Sequence, residues 1–413
     1  MSELAIFGGK KTKTTPFGSG RRFDGQELAY LKEALDQNTL FYWFGEKTKE
    51  LCRRFAEYAG TEHAVAATSG TAAIHVAIGA AGVTEGDGVV TSPITDMGSM
   101  IGILYQNAVP VFADLDPRTY NMTAESIEKV LTPRTKAVVL VHLAGNPADL
   151  DPIVQLCRER GIALIEDCAQ SYGCIYKGKK AGSFGDFGCF SVNDFKHISA
   201  GDGGVVVMNG QERYETAFAF ADKNYNRLAN SVAAGIQTLA PNYRMNELTA
   251  AVALAQLEKV DWITERRRQF GDALTEAISE LPGILPPVVQ QDCASSYWFY
   301  MLRIDETLAR VSRDDFVAAL NAEGIPAQAG YIPTVVYQYP LFRTRTAYPG
   351  THFPFDNPVY GEGGIFYREG DCPVAEEILR TAIKLPVNEY YNEQDLHDMS
   401  TAIRKVAEYY AAR

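Results

Sequence analysis

The chain has 413 residues, 46% of them hydrophobic and 22% charged, and a formal net charge of -12. Single cores stop growing near ~250–300 residues, so two domains are expected, and the composition is that of an ordinary soluble globular protein. With an acidic balance and no basic stripe to displace counterions from phosphates, nonspecific nucleic-acid binding is excluded as the main activity, while small anionic substrates stay open.

The opening Met1-Ser2-Glu3-Leu4-Ala5-Ile6-Phe7-Gly8-Gly9-Lys10-Lys11 carries its charge after a short apolar run and has no small-residue cleavage site, so it does not read as a signal peptide. No apolar run approaches the ~18 residues of a membrane helix, and a cytoplasmic protein with no nucleic-acid or membrane partner is expected. Seven cysteines, none in a Cys-x-x-Cys pair, read as free thiols without a metal.

Beyond a polar arm, Asp24–Leu35 and Glu46–Ala59 read as helices, the second with Leu51, Phe55 and Tyr58 at helical spacing. A short strand at Ala64–Ala67 then runs through Ser69-Gly70 into a helix of small residues from Thr71. Its first amides and the Thr71 hydroxyl form a candidate phosphate site, beside the plain alternative of a helix cap. Strands at Gly88–Thr91, Val109–Ala113, Ala137–Val141 and Ala163–Glu166 alternate with helices at Asp96–Gln106, Thr123–Leu131 and Leu150–Arg160. Helices between short, doubly apolar strands argue for an α/β domain with a largely parallel sheet. Ligands in such sheets bind beyond the carboxyl ends of the strands.

Four residues fall beyond such strand ends. Asp167 closes the strand Ala163–Glu166, where a carboxylate can pair a protonated pyridine nitrogen or simply cap the next turn. Gln170 follows three residues later. Ser183–Phe190 reads as a turn and strand that delivers Ser191 and, five residues on, Lys196, ahead of Gly201-Asp202-Gly203-Gly204 and the strand Val205–Met208. A lysine forms an imine at neutral pH when its pKa is lowered and its position fixed, and Phe190, Val192 and Phe195 offer partial desolvation. Pro241–Leu257 reads as the opening of a long helix continuing towards Arg268. After it come a helix at Asp272–Leu281, a strand at Trp298–Ile304, helices at Asp314–Glu323, Ala375–Ile383 and Glu393–Ala411, and an aromatic loop from Tyr331. Tyr331 and Tyr337 in that loop are candidate substrate contacts, with structural packing as the alternative.

Taken in order, Thr68-Ser69-Gly70-Thr71-Ala72-Ala73, Ile165-Glu166-Asp167-Cys168-Ala169-Gln170, Ser191 through Lys196 to Gly204, Asn242-Tyr243-Arg244-Met245 and Cys372-Pro373-Val374-Ala375-Glu376 resemble the motifs of the DegT/DnrJ/EryC1/StrS family of sugar and cyclitol aminotransferases. The resemblance implies fold type I of the pyridoxal 5'-phosphate enzymes: a three-layer α/β/α large domain with a mostly parallel mixed sheet, plus a smaller α+β C-terminal domain. The expected division is an arm at 1–24, a large domain at 25–270 and a small one at 271–413. Lys196 then resembles the Schiff-base lysine and proton shuttle, with Asp167 on the pyridine nitrogen and Gln170 near the ring oxygen. Thr71, the Ala72 backbone and Ser191 resemble phosphate ligands. The position of Asn242 implies a phosphate contact from a neighbouring subunit, hence a homodimer with shared sites. Arg244 is a candidate for the donor carboxylate, a structural ion pair being the alternative.

Some family members carry histidine in place of the lysine and perform dehydration; here His197 stands one place too late, which favours transamination. The family often places a ring-stacking aromatic after Ser92-Pro93-Ile94-Thr95, where this chain has Asp96. Glutamate or glutamine is the implied donor. Leu4-Ala5-Ile6-Phe7-Gly8-Gly9 and His142-Leu143-Ala144-Gly145-Asn146-Pro147 look more like the cyclitol-ketone branch, serving aminoglycoside or other amino-sugar antibiotic biosynthesis, than the nucleotide-sugar branch. The alternatives are a nucleotide-sugar aminotransferase, a dehydrating or other carbanion enzyme of the same fold, and, disfavoured by the lack of an appendage, a non-catalytic cofactor-binding regulator.

Overall fold

In the computed structural model, which describes residues 3–228, 236 and 238–412, seven short apolar segments form one sheet. They are β1 (His63–Ala67), β2 (Gly88–Thr91), β3 (Val109–Phe112), β4 (Thr135–Val141), β5 (Ala163–Asp167), β6 (Phe187–Ser191) and β7 (Gly204–Met208). Their spatial order is β1-β7-β6-β5-β4-β2-β3. β7 runs antiparallel to β6 and β1, and the other adjacent pairs are parallel.

Strand side chains alternate between faces, and here both faces are apolar. Val65, Val89, Val139, Ile165 and Val206 pack with the helices Gly70–Ala80 and Gln211–Ala221. On the opposite face Ala66 and Val207 meet Leu51, Phe55 and Leu254, while Val90, Leu140 and Leu164 meet Ile153 and Leu156. The sheet is therefore the middle of three layers, and its loops at the carboxyl ends of β2, β4, β5 and β6 open on one side.

A second, antiparallel sheet orders Ile284–Leu285, Tyr300–Ile304, Ala382–Leu385 and Gln328–Ala329. Tyr300, Leu302, Ile383 and Leu385 point from it into a core shared with Leu274, Phe316, Met399 and Ile403. Among the described residues, no helix is long and apolar enough to cross a membrane.

Three expectations change. Pro241–Arg244 is extended rather than helical, because it bridges Asp222 and Ala67 at the edge of the sheet; the helix begins at Glu247, where Asn246 accepts the Leu248 and Thr249 amides. That helix ends at Leu257, and the expected Asp272–Leu281 helix is the second half of Val260–Ile278, which runs unbroken through residues 270 and 271. The expected Ala375–Ile383 helix stops at Thr381, and Ala382–Leu385 is a strand, drawn out by pairing with Tyr300–Arg303.

Candidate active site

At the carboxyl ends of the parallel strands lies a cavity of about 450 Å³, lined by Gly70, Thr71, Asp96, Ser99, Asp167, Gln170, Ser191, Lys196, Trp298, Tyr331 and Lys384 among others. At one end Ser69 caps the helix Gly70–Ala80, its Oγ accepting the Ala72 amide at 3.0 Å. The Ala72 donor expected for a phosphate is thus held by the cap. The first turn of a helix carries further amides without intrahelical acceptors, a ready anion site. Gly70 makes this corner possible: a Cβ there would lie 2.6 Å from the Ser191 Cβ, so only glycine lets the helix start meet the end of β6. Thr71 and Ser191 both line the same corner.

Asp167 is the last residue of β5 and is 4% exposed. Ser99 donates to its Oδ2 at 2.6 Å, the Ala169 amide to its Oδ1 at 3.1 Å, and Thr95 holds Ser99 at 2.7 Å. Burial pushes the Asp167 carboxyl pKa up, against the pull of Ser99, Ala169 and the Lys196 charge. Among the described residues no cation makes an ion pair with this buried acid, so the site presents a carboxylate lacking its counter-charge.

Lys196 follows Ser191 in a loop closed on itself: the Ala200 amide donates to the Val192 carbonyl at 2.8 Å and the Asp194 amide to the Gly201 carbonyl at 2.9 Å. Gly201 has φ +84°, a left-handed conformation that favours glycine. Arg22 of the arm donates to the Lys196 carbonyl at 3.1 Å and to that of Asp194. The Trp298 indole donates to the Phe195 carbonyl at 2.7 Å, and its ring centroid lies 4.0 Å from Lys196 Nζ. Burial lowers the lysine pKa, with Asp167 and Asp96 opposing. A lysine so held, near a buried acid, suits reaction with a carbonyl.

Gln170 is locked, its Oε1 accepting the Ala144 amide at 3.0 Å and its Nε2 donating to Tyr331 at 3.2 Å. Asp96 lines the cavity, and its Oδ1 accepts the Gly98 amide at 2.8 Å. Three expected residues lie elsewhere. Asn242 is exposed and outside this cavity of its own chain. Arg244 donates to Asp222 at 3.1 Å, stands over Phe41, and faces a different pocket, so the structural ion pair is what one chain shows. Tyr337 is 1% exposed and bonded to Glu376 at 2.5 Å against Phe112; it packs the core rather than lining the cavity. His197 points away, buried with Nε2 3.1 Å from the Ser296 carbonyl. Ser99, Trp298 and Lys384 escaped the sequence reading, since nothing local to each marks its distant partner.

A buried trio, His142, Glu166 and Cys168, brings ligand-type atoms within 4.8 Å of one another. Its hydrogen bonds account for it. The Ala148 amide donates to His142 Nδ1, which leaves Nε2–H to donate to Glu166, and Glu166 also receives the Gly182, Phe184 and Gly185 amides. This is a brace for the turn into β6.

A sheet of this order with a buried acid at β5, a lysine beyond β6 and an amide-rich helix start is the arrangement of the fold type I pyridoxal-phosphate enzymes, and the Asp167 carboxylate, which has no ion pair among the described residues, would suit the cofactor's ring cation. The chain belongs to the DegT/DnrJ/EryC1/StrS aminotransferase family, whose model matches residues 22–363. It is 34% identical over 325 residues to a GDP-perosamine synthase of Caulobacter vibrioides, covering 76% of this chain and 83% of that protein. It is 34% identical over 330 residues to a putative L-glutamine:3-amino-2,3-dideoxy-scyllo-inosose aminotransferase of Streptoalloteichus tenebrarius, covering 78% and 79%. An aminotransferase structure from Psychrobacter cryohalolentis superposes with TM-score 0.82 at 28% identity, over 95% of this chain and 98% of that one.

Ser99→Ala removes a hydrogen bond to the ionised form of Asp167, of a type worth about 1.5–3 kcal/mol. The expected result is a fall in kcat/KM of roughly 10- to 100-fold with an unchanged circular dichroism spectrum. Because Ser99 lowers the Asp167 pKa, the acid limb of the pH–rate profile should move to higher pH.

Proposed function

We propose that the protein transfers the amino group of glutamate or glutamine to a keto-cyclitol or keto-sugar, in amino-sugar or aminoglycoside biosynthesis. The observation that carries this reading is the presence of a half-buried, partly desolvated Lys196 and the buried Asp167 in one cavity. Pyridoxal phosphate supplies an aldehyde that condenses with amines and a ring that accepts the electrons of a broken Cα–H bond. The chain does the rest. Lys196 Nζ would hold the cofactor and, when free, would move a proton at the donor α-carbon. Asp167, oriented by Ser99, would keep a pyridine nitrogen protonated. Thr71, Ser191 and the first-turn amides would hold the phosphate, Gln170 would meet the ring oxygen, and Asp96 stands in the sequence where the family often has an aromatic residue. Trp298 and Tyr331 form aromatic walls of the cavity.

The exposed Asn242, outside the cavity of its own chain, supports a homodimer in which it reaches the partner's phosphate. We place the protein in the cytoplasm, with a large domain at 25–270 and a small one at 271–413. The two relatives named above point to different acceptors at equal identity, a nucleotide-sugar ketone and an aminocyclitol ketone. The resemblance of Leu4–Gly9 and His142–Pro147 favours the cyclitol. Incubating purified holoenzyme with glutamate or glutamine should release the matching keto acid as the visible cofactor band fades; a band with no keto acid would sink the reading in favour of dehydration or another carbanion reaction. A panel of cyclitol and nucleotide-linked ketones then ranks acceptors by kcat/KM, and the cyclitols are expected to lead.

A further inference from the structure

The strand Ala382–Leu385 alternates like any other: Ile383 and Leu385, both 0% exposed, face the C-terminal core, and Ala382 faces the large-sheet side. Position 384 shares the Ala382 face, yet it holds a lysine that lines the same cavity as Lys196. Its Nζ lies 5.1 Å from the Phe299 ring centroid and 5.7 Å from that of Tyr331. Among the described residues it makes no ion pair or hydrogen bond. Burial pushes its pKa down, and among the described residues no acid stands against it; only the two ring faces meet the charge.

The charge of the cavity sharpens this. Its other ionisable lining groups are the acids Asp96, Asp167 and Asp202, the phenol Tyr331, and Lys196, which is committed to the cofactor. A transaminase must hold a donor whose α-carboxylate sits beside the reacting amine, and an acidic cavity on a chain of net charge -12 repels that group unless a cation meets it. Arg244 is engaged by Asp222 in another pocket. Lys384 joins the cavity wall beside Tyr331, which receives the Gln170 hydrogen bond. We propose that Lys384 is the carboxylate-binding residue of the amino-donor subsite, pairing the donor's α-carboxylate. This rests on the aminotransferase reading and adds to it the residue that selects an amino acid as donor.

The test uses holoenzyme carrying Lys384→Met, Lys384→Arg and, should the methionine form misfold, Lys384→Gln. The donor Kd comes from the glutamate dependence of cofactor-band loss. It is expected to rise at least about tenfold in the methionine variant, as for a lost hydrogen bond to a charged group, and to recover largely in the arginine variant. With 4-aminobutyrate, which is glutamate without its α-carboxylate, the methionine variant and the parent should behave alike. A readout free of turnover is the binding of glutarate, followed by tryptophan fluorescence next to the Trp298 wall, which should weaken in the methionine variant. An unchanged donor Kd overturns the proposal, as does a rise confined to the acceptor KM, which would make Lys384 the receptor for an acceptor anion. If the parent binds glutarate through Lys384 but converts no donor, the carboxylate subsite stands and the aminotransferase reading falls.

Discussion

Lys196→Ala is expected to lower the transamination rate by at least about 10³-fold while leaving the fold intact. A positioned proton-transfer group alone contributes about 10²–10⁴, and this lysine is also proposed to hold the cofactor covalently. Borohydride should fix cofactor to the parent chain and leave the alanine variant unlabelled by mass spectrometry. The fold should survive because Nζ makes no hydrogen bond or ion pair among the described residues and rests against the Trp298 ring. Desolvation has already lowered the pKa of this group in the folded state. The native chain thus binds its proton less tightly than the unfolded chain, so the charged lysine costs stability below its unfolded pKa and that cost fades as pH rises towards it. At neutral pH the cofactor-free alanine variant should melt no lower than the parent. A variant that keeps even a tenth of the parent's rate would remove Lys196 from the chemistry.

How far the sequence reveals this site depends on how local each constraint is. Asp167 and Ser191 end short strands apolar on both faces and Lys196 lies five residues beyond one, where the rule that ligands gather beyond the carboxyl ends of parallel strands points from the sequence alone. Gly70 could be read only as a turn; its need to admit Ser191, more than a hundred residues later, is a packing fact. Arg244 looked available because Asp222, which holds it, comes from a different element. Tyr337 looked like a loop aromatic because its cover, Phe112 and Glu376, lies far off in the chain. Lys384 was hidden by a period error. Ile378, Leu379 and Ile383 continue a helical spacing, and only pairing with Tyr300–Arg303 turns Ala382–Leu385 into a strand that aims the lysine at the cavity.

Asp167→Asn separates the function of the buried acid from its structural cost. In the holoenzyme the carboxylate is proposed to face the protonated ring nitrogen, and removing one partner of a buried charge pair costs about 3–5 kcal/mol. The expected loss in kcat is therefore of order 10²- to 10³-fold, with the cofactor still reducible onto Lys196. Without cofactor the sign reverses. Burial raises the Asp167 pKa above its unfolded value, so the native state holds the proton more tightly and stability falls as pH climbs from the unfolded pKa through the folded one. At neutral pH the buried acid is therefore a net burden on the apoprotein. Asparagine removes it at constant shape, and Ser99 can turn its hydroxyl to Thr95, 2.7 Å away. The cofactor-free asparagine variant should then melt above the cofactor-free parent at neutral pH, with the gap closing as pH falls towards the unfolded pKa. Cofactor should raise the melting temperature of the parent more than that of the variant. If the variant instead melts lower at every pH, Asp167 is an anchor of the fold, and the counter-charge role assigned to it fails.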